Sequence, residues 1–294
     1  MNDSLIDLSS PESFPAVHLL YVMGNDRASF LHNFCTNNIN DLAVGQVCEA
    51  FFTDVKAKVL GHGYVAAGSD LLAIMTVGSD ISRLQQHLSR YVITEDVTIE
   101  TIELPAFALC GQPHGEDAQA DIKSEVSESA TLIATNWDQH PVAFLFGDAA
   151  QRATWTTQLV QNGLSCCETA TAESLADLRI REGYPVVDID VSSDNMAPEA
   201  ARIKQAISYT KGCYLGQEPI ARLDAMGHVN RQLYRGTANV IDEPASDDLP
   251  TITSFSPTAE RDIPFLTMLK VSDVKPTMKL RLADGRTVEA TVKV

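Results

Sequence analysis

Residues 209–222 read YTKGCYLGQEPIAR, with Gly212 and Gly216 flanking a cysteine, Cys213, and an aromatic, Tyr214. Two glycines at this spacing suit a tight loop that runs into the start of a helix or strand. It is not a phosphate loop, because the lysine precedes the first glycine instead of following the second. Lys211 stands two residues from Cys213, a setting in which a nearby cation favours the reactive thiolate; the competing reading is a half-buried cysteine acting as a small hydrophobe. Around the loop, Arg202, Lys204, Lys211, Arg222, Arg231 and Arg235 face only Glu218 and Asp224, whereas the whole chain carries a formal charge of −17. A basic island on an acidic body concentrates small anions such as a carboxylate tail or phosphate, unless its cations are taken up in ion pairs.

Upstream of the loop, VHLLYVM at 17–23 reads as a strand. Asp26 then caps a helix whose Phe30, Leu31 and Phe34 share a face and which stops near Asn37. Strand-like runs follow at 47–52, 59–65 and 71–77, and Gly78-Ser79-Asp80 caps a helix aligning Ile81, Leu84 and Leu88. Further strands are expected at 97–103, 106–110, 132–135 and 142–146, and the polar run Gln112 to Ser129 reads as a surface loop. Asp148 caps a helix ending at Gly163, and another runs from about Thr171 to Gly183. Residues 186–201 show no period. After Tyr234 only short strands follow, among them a hairpin in which Asp284-Gly285 separates Met278, Leu280, Leu282 from Val288, Ala290, Val292. This alternation without βαβ spacing predicts an α+β fold over antiparallel or mixed sheets, closed by a small all-β domain.

A chain of 294 residues with 45% hydrophobic and 21% charged residues excludes disorder and fibrous classes and leaves room for two or three domains. No apolar run reaches the roughly 18 to 20 residues of a membrane span, and the start carries Asp3, Asp7 and Glu12 instead of a basic leader, so no membrane association and a cytoplasmic location are expected. The charge has the wrong sign for holding nucleic acid over the whole surface. Six cysteines, Cys35, Cys48, Cys110, Cys166, Cys167 and Cys213, show no metal-ligand spacing and read as reduced thiols, with no metal site. The adjacent pair Cys166-Cys167 reads as structural, because neighbours on an extended chain point to opposite faces.

TKGCYLGQE resembles the signature of the YgfZ-type folate-binding proteins, members of the glycine-cleavage aminomethyltransferase superfamily. GNDRASFLHNFCTNNINDL, LRIREGYPVVD and ITSFSP resemble further segments of that family in the same order. The resemblance implies interleaved ferredoxin-like layers around a central channel: residues 1–224 as a folate-binding α+β region of two interleaved subdomains, and 225–294 as a C-terminal β-barrel. It implies a tetrahydrofolate-binding accessory protein in iron–sulfur cluster assembly or repair, supporting iron–sulfur enzymes including tRNA-modifying ones. Its partners would be folate and assembly proteins or client enzymes. Carried over position by position, Cys213 is the functional thiol with Lys211 beside it. Gly212, Tyr214, Gly216, Gln217, Glu218 and Arg222 complete the motif, and Glu182, Tyr184 and Arg231 join as cofactor contacts.

The departures are specific. The related transferases carry an acidic pair where this chain has Ala57-Lys58-Val59-Leu60-Gly61-His62-Gly63, so a folate-dependent aminomethyl- or methyltransferase or demethylase is the alternative, not the main reading. His62 is a substitute proton carrier or a structural histidine. Arg181 stands where the transferases hold the pterin with Glu, and Glu182 follows it; Asn38 replaces an Asp. The transferase reading requires another carboxylate, such as Asp54, to enter the channel.

Overall fold

The computed structural model describes residues 5–8, 14–111, 123–138, 140–161, 164, 171–244, 246 and 248–293. After β1 (Ile6–Asp7) come β2 (Val17–Met23), α1 (Arg27–Phe34), β3 (Val47–Thr53), β4 (Val59–Ala67), β5 (Leu71–Val77), α2 (Ile81–Ser89) and β6 (Thr98–Ile102). The strands β2 to β6 form an antiparallel sheet in the order β3-β4-β5-β2-β6. Successive residues of a strand face opposite ways. Leu20 and Val22 therefore enter one core with Phe30, Leu31, Leu84 and Leu88 of the helices, while Leu19 and Tyr21 enter another, facing the second sheet. Both faces being covered, β5 is buried at every residue and its sequence LLAIMTV is continuous instead of alternating. A Cβ on Gly63 would stand 1.9 Å from the Met75 carbonyl oxygen, so glycine is required for β4 to lie this close to β5.

The second sheet, ordered β1-β7-β10-β9-β8, comprises β1 with β7 (Ala106–Cys110), β8 (Glu125–Ser127), β9 (Ala130–Trp137) and β10 (His140–Phe146). Its outer face packs on α3 (Ala149–Gln161) through Leu145, Trp155 and Leu159, and its inner face supplies Ile133, Trp137 and Phe144 to the core shared with the first sheet. Strand β8 falls within the run expected to be a loop. Cross-strand pairing with β9, Val126 against Thr131, makes a strand of a segment whose composition reads as polar coil. Residues 112–122 and Cys166-Cys167 lie outside the described residues.

Helix α4 (Ala172–Arg181) begins with a capping box in which Thr171 and Ser174 bond reciprocally. After a short 3-10 turn, Ala197–Ala200, come α5 (Ile203–Ala206) and α6 (Gln217–Met226), the latter growing directly from the motif loop. The third sheet, ordered β12-β13-β11-β15-β14, contains β11 (Arg231–Val240), β12 (Ser254–Phe255), β13 (Ile263–Lys270), β14 (Thr277–Arg281) and β15 (Thr287–Lys293). The Asp284-Gly285 hairpin is present with Leu280 opposite Val288. The expected barrel is an open sheet: β12 has two residues, and the two edges meet only at a Thr251–Arg281 bridge. The boundary drawn at 224/225 falls inside α6. Phe51 and Val59 of the first sheet, Ile180 of α4, Ile220 of α6 and Leu233 and Leu266 of the third sheet share one core, which keys the third sheet to the rest.

Candidate functional site

The motif loop is held against the C-terminal end of α1. The Lys211 ammonium, nearly buried, donates to the carbonyls of His32, Cys35 and Asn37. These are orphan carbonyls where the helix ends, and a cation is the favoured partner there. Leu215 N donates to Asn33 O (2.9 Å), Thr53 Oγ1 to Leu215 O (2.9 Å), and Ser208 N to Thr36 O (2.9 Å). Gly216 has φ +85°, and a Cβ there would stand 2.6 Å from Asp54 O and Thr53 Oγ1, so the loop closes onto the β3–β4 turn only with glycine. In that turn Asp54 Oδ1 accepts from Lys56 N (2.8 Å) and Lys58 N (2.9 Å). Asp54 is thus an Asx-turn residue, its carboxylate committed to its own hairpin.

Between the sheets lies a buried ion network. Glu49 on β3 accepts from Arg202 Nε (2.8 Å) and Nη2 and from His62 Nε2 (2.8 Å), and His62 Nδ1 faces Pro185 O at 3.3 Å. Burial by itself raises the Glu49 carboxyl, but the hydrogen bonds from Arg202 and His62 outweigh it and bring the pKa down to about 2. A second buried pair joins Arg179 Nη1 to Asp190 Oδ2 at 2.7 Å. Beside the first network runs an aromatic stack, with ring centroids separated by 6.5 Å for Phe14–Trp137, 5.1 Å for Trp137–Tyr184, 5.7 Å for Tyr184–Tyr64 and 4.8 Å for Tyr184–His62.

Cavities open around this centre. One, of about 810 Å³, lies between the first two sheets against Cys48, Glu49, Tyr64 and Asn136. Another of about 320 Å³ is walled by Glu182, Arg202, Arg235 and Lys293 and merges, through shared walls, with one of about 350 Å³ that adds His140 and Arg181. A fourth, about 410 Å³, sits under α5 and α6. Gln205 borders the first, the second and the fourth. Glu182, the C-cap of α4, turns its carboxylate to within 3.2 Å of His140 Nδ1, and burial raises its pKa, with Asp138 adding to the rise and His140 and Arg235 opposing it.

Of the residues expected to contact a cofactor, Glu182 borders two of these cavities, those of about 320 and 350 Å³. Tyr184 is fully buried in the middle of the stack and borders none of them. Gly216 is buried and Tyr214 and Gln217 are half-buried, while Gly212, Cys213, Glu218, Arg222 and Arg231 are exposed. The basic island is divided: Arg202 and Lys211 are buried and bound, and Arg235 donates to Arg181 O at 2.9 Å. Lys204, Arg222 and Arg231 remain exposed. Arg181, at the transferases' pterin position, points outward and pairs with Asp177. His62 is structural, fixed on both ring nitrogens. Glu49 and Gln205 were missed by sequence reading, since a lone carboxylate in a strand and a lone uncharged glutamine carry no spacing signal.

The thiols differ in access. Cys35 and Cys110 are buried, Cys48 half-buried and Cys213 exposed, and burial pushes the Cys35 and Cys48 thiols up. At pH 7 iodoacetamide is expected to label Cys213 before Cys35, Cys48 and Cys110, as followed by peptide mass spectrometry; equal rates at these four sites would contradict the arrangement.

Comparison with known proteins supports the same reading. The chain is 26% identical over 245 residues to the tRNA-modifying protein YgfZ of Yersinia pseudotuberculosis, covering 78% of this chain and 71% of that one. The chain is similar to the YgfZ type. The Yersinia enterocolitica protein of the same name is 28% identical over 75% of this chain and 69% of its own length. A chloroplastic protein of Arabidopsis thaliana, named as a candidate transferase, is 26% identical over 76% of this chain, and the match spans 55% of that longer protein. Among solved structures, the glycine cleavage system aminomethyltransferase T of Bartonella henselae superposes with a TM-score of 0.72 over 99% of this chain and 84% of its own, at 13% identity, which establishes the fold. No family model matches the chain. Among the described residues no helix is long and apolar enough to cross a membrane.

Proposed function

We propose that the chain binds a tetrahydrofolate in the cleft faced by Glu182. In this reading it acts as an accessory protein in iron–sulfur cluster assembly or repair, supporting iron–sulfur enzymes, tRNA-modifying ones among them. Cys213 is its functional thiol, the first two sheets are the interleaved layers around the folate channel, and the third is the closing unit. The observation that carries the folate half is the Glu182 carboxylate opening onto a cleft that also presents Arg235 and Lys293. A pterin offers an N–H and an amino group side by side, which a carboxylate accepts together, and the folate tail is anionic, which suits the two cations. The 810 Å³ cavity and the cleft, joined at Gln205, lie within the range of about 300 to 1,000 Å³ common for small-molecule sites. The names of the YgfZ relatives and the exposed thiol of the motif support the accessory half. With Asp54 held in its own turn, the accessory reading is preferred to the transferase one.

Calorimetric titration with tetrahydrofolate is expected to show one saturable site. Glu182→Gln should weaken it about tenfold or more, the loss of one charge-assisted pairing. No saturation up to millimolar ligand, or an unweakened Glu182→Gln variant, would overturn the folate assignment. For the accessory half, Cys213→Ala should fail to restore iron–sulfur enzyme activities in a deletion strain under oxidative stress; full restoration removes the thiol's role.

A further inference from the structure

We infer that Asp138 and His140 join Glu182 in a single proton-holding cluster, and that a pterin seated in the cleft displaces the proton to solvent, so that ligand binding is coupled to pH. The three side chains come from two places in the fold and wall one cavity, that of about 350 Å³. Glu182 caps the end of α4, while Asp138 follows β9 and His140 opens β10. One Glu182 carboxylate oxygen stands 3.2 Å from His140 Nδ1, a nitrogen with no other partner among the described residues. Asp138 reaches the same carboxyl by a side-chain hydrogen bond. A hydrogen bond between two carboxyls requires a proton on one of them. Arg235 on β11 also faces the pair, 3.6 Å from Asp138 Oδ2, and Lys293 on β15 lines the same cavity. Of the other nearby cations, Arg181 is turned out to Asp177 and Arg202 is engaged by Glu49.

These groups pull in opposite directions. Burial first, and Asp138 as a like charge, favour a proton on Glu182, while His140 and Arg235 favour the ionised form. Burial and Asp138 prevail, so the cluster keeps its proton to a higher pH than a carboxyl in water. A pterin brings two donors side by side, its N–H and its amino group, and a carboxyl that retains its own proton lacks an accepting oxygen for one of them. The ligand therefore selects ionised Glu182. Binding releases a proton at any pH where the free cluster holds one, and releases none where the cluster is already ionised. Affinity accordingly rises with pH across the titration of the cluster and is level above it.

The coupling rests on the folate reading of the cleft, and one set of titrations separates the two. Tetrahydrofolate is titrated calorimetrically from pH 5 to 8, above the range in which Glu49 loses its charge, in phosphate and in imidazole, buffers of low and high ionisation enthalpy. At pH 5 to 6 binding to the wild type should be more exothermic in imidazole, because the buffer takes up the released proton. Affinity should fall by up to about tenfold for each pH unit below the titration of the cluster. Asp138 has φ +52°, a conformation that Asn also tolerates, so Asp138→Asn removes the like charge and keeps the turn. This variant should bind more tightly than the wild type at pH 5, by about threefold or more, with a smaller difference between buffers. His140→Gln should shift the profile the other way, binding more weakly at pH 5 to 6. The ligand's own titration is common to all three proteins and cancels between them, and damage to the fold would weaken both variants alike. Equal enthalpies in the two buffers, or variant profiles that do not part in opposite directions, would overturn the coupling and leave the folate site standing. No saturation at any pH would overturn the folate site and the coupling with it.

Discussion

Arg202→Met should lower the unfolding free energy by about 3–5 kcal/mol, among the largest effects of any single substitution in this chain. The substitution leaves the Glu49 carboxylate buried between two sheets with only His62 as partner, and an uncompensated buried charge costs more than the pair contributes. The urea midpoint is the readout, and Glu49→Leu combined with Arg202→Met should recover much of the loss, since an apolar pair of similar bulk needs no charge compensation. Acid should act on the same site. Glu49 has its pKa depressed from 4.5 to about 2, so its contribution is fully present above 4.5 and is lost as pH falls from there toward 2. That shift corresponds to about 3 kcal/mol of pH-dependent stability. A wild type no less stable at pH 3 than at pH 6, or an Arg202→Met variant with an unchanged midpoint, would show that the network carries no such weight.

Lys211→Met is expected to cost about 2–4 kcal/mol, because three carbonyls at the end of α1 lose their common donor. The second readout is chemical. Cys35, whose own carbonyl is one of the three, should become accessible to iodoacetamide, while Cys213 should stay the fastest thiol because its access comes from the loop and not from the lysine. Slower labelling of Cys213 with an unchanged urea midpoint would restore the simpler reading, a lysine placed to activate the neighbouring cysteine.

That contrast shows what the sequence could tell. The strands 17–23, 71–77 and 106–110 are found at their expected bounds, and the helix caps at Asp80 and Thr171 are made by their own side chains, because period and capping are local properties. The motif was legible as a loop leading into a helix or a strand, and the structure has the helix. The surroundings of its lysine were not, since the partners of Lys211 lie at residues 32–37 and nothing in the local spacing names them. The expected barrel failed for a similar reason: closure depends on two sheet edges meeting, and two-residue β12 cannot provide a ladder. Glu182, which borders two of the cavities, was named from the resemblance and the departure at Arg181 together. The Glu49–His62–Arg202 network was not, being assembled from three segments up to 153 residues apart.

The clamp on α1 also orders events in time. Thr36 bonds to Ala206 across 170 residues and Lys211 to His32 across 179, so the first sheet is synthesised long before the segment that seals it exists. At about 5–20 residues per second, a ribosome would leave the end of α1 uncapped for roughly ten to forty seconds. During that interval the nascent chain exposes an unfinished helix end beside a sheet of strongly apolar strands, and its native register becomes secure only when translation has passed the motif loop. A truncation before Lys211 should therefore behave as an aggregation-prone fragment and not as a small stable domain, which makes the motif as much a requirement for completing synthesis safely as for any chemistry that follows.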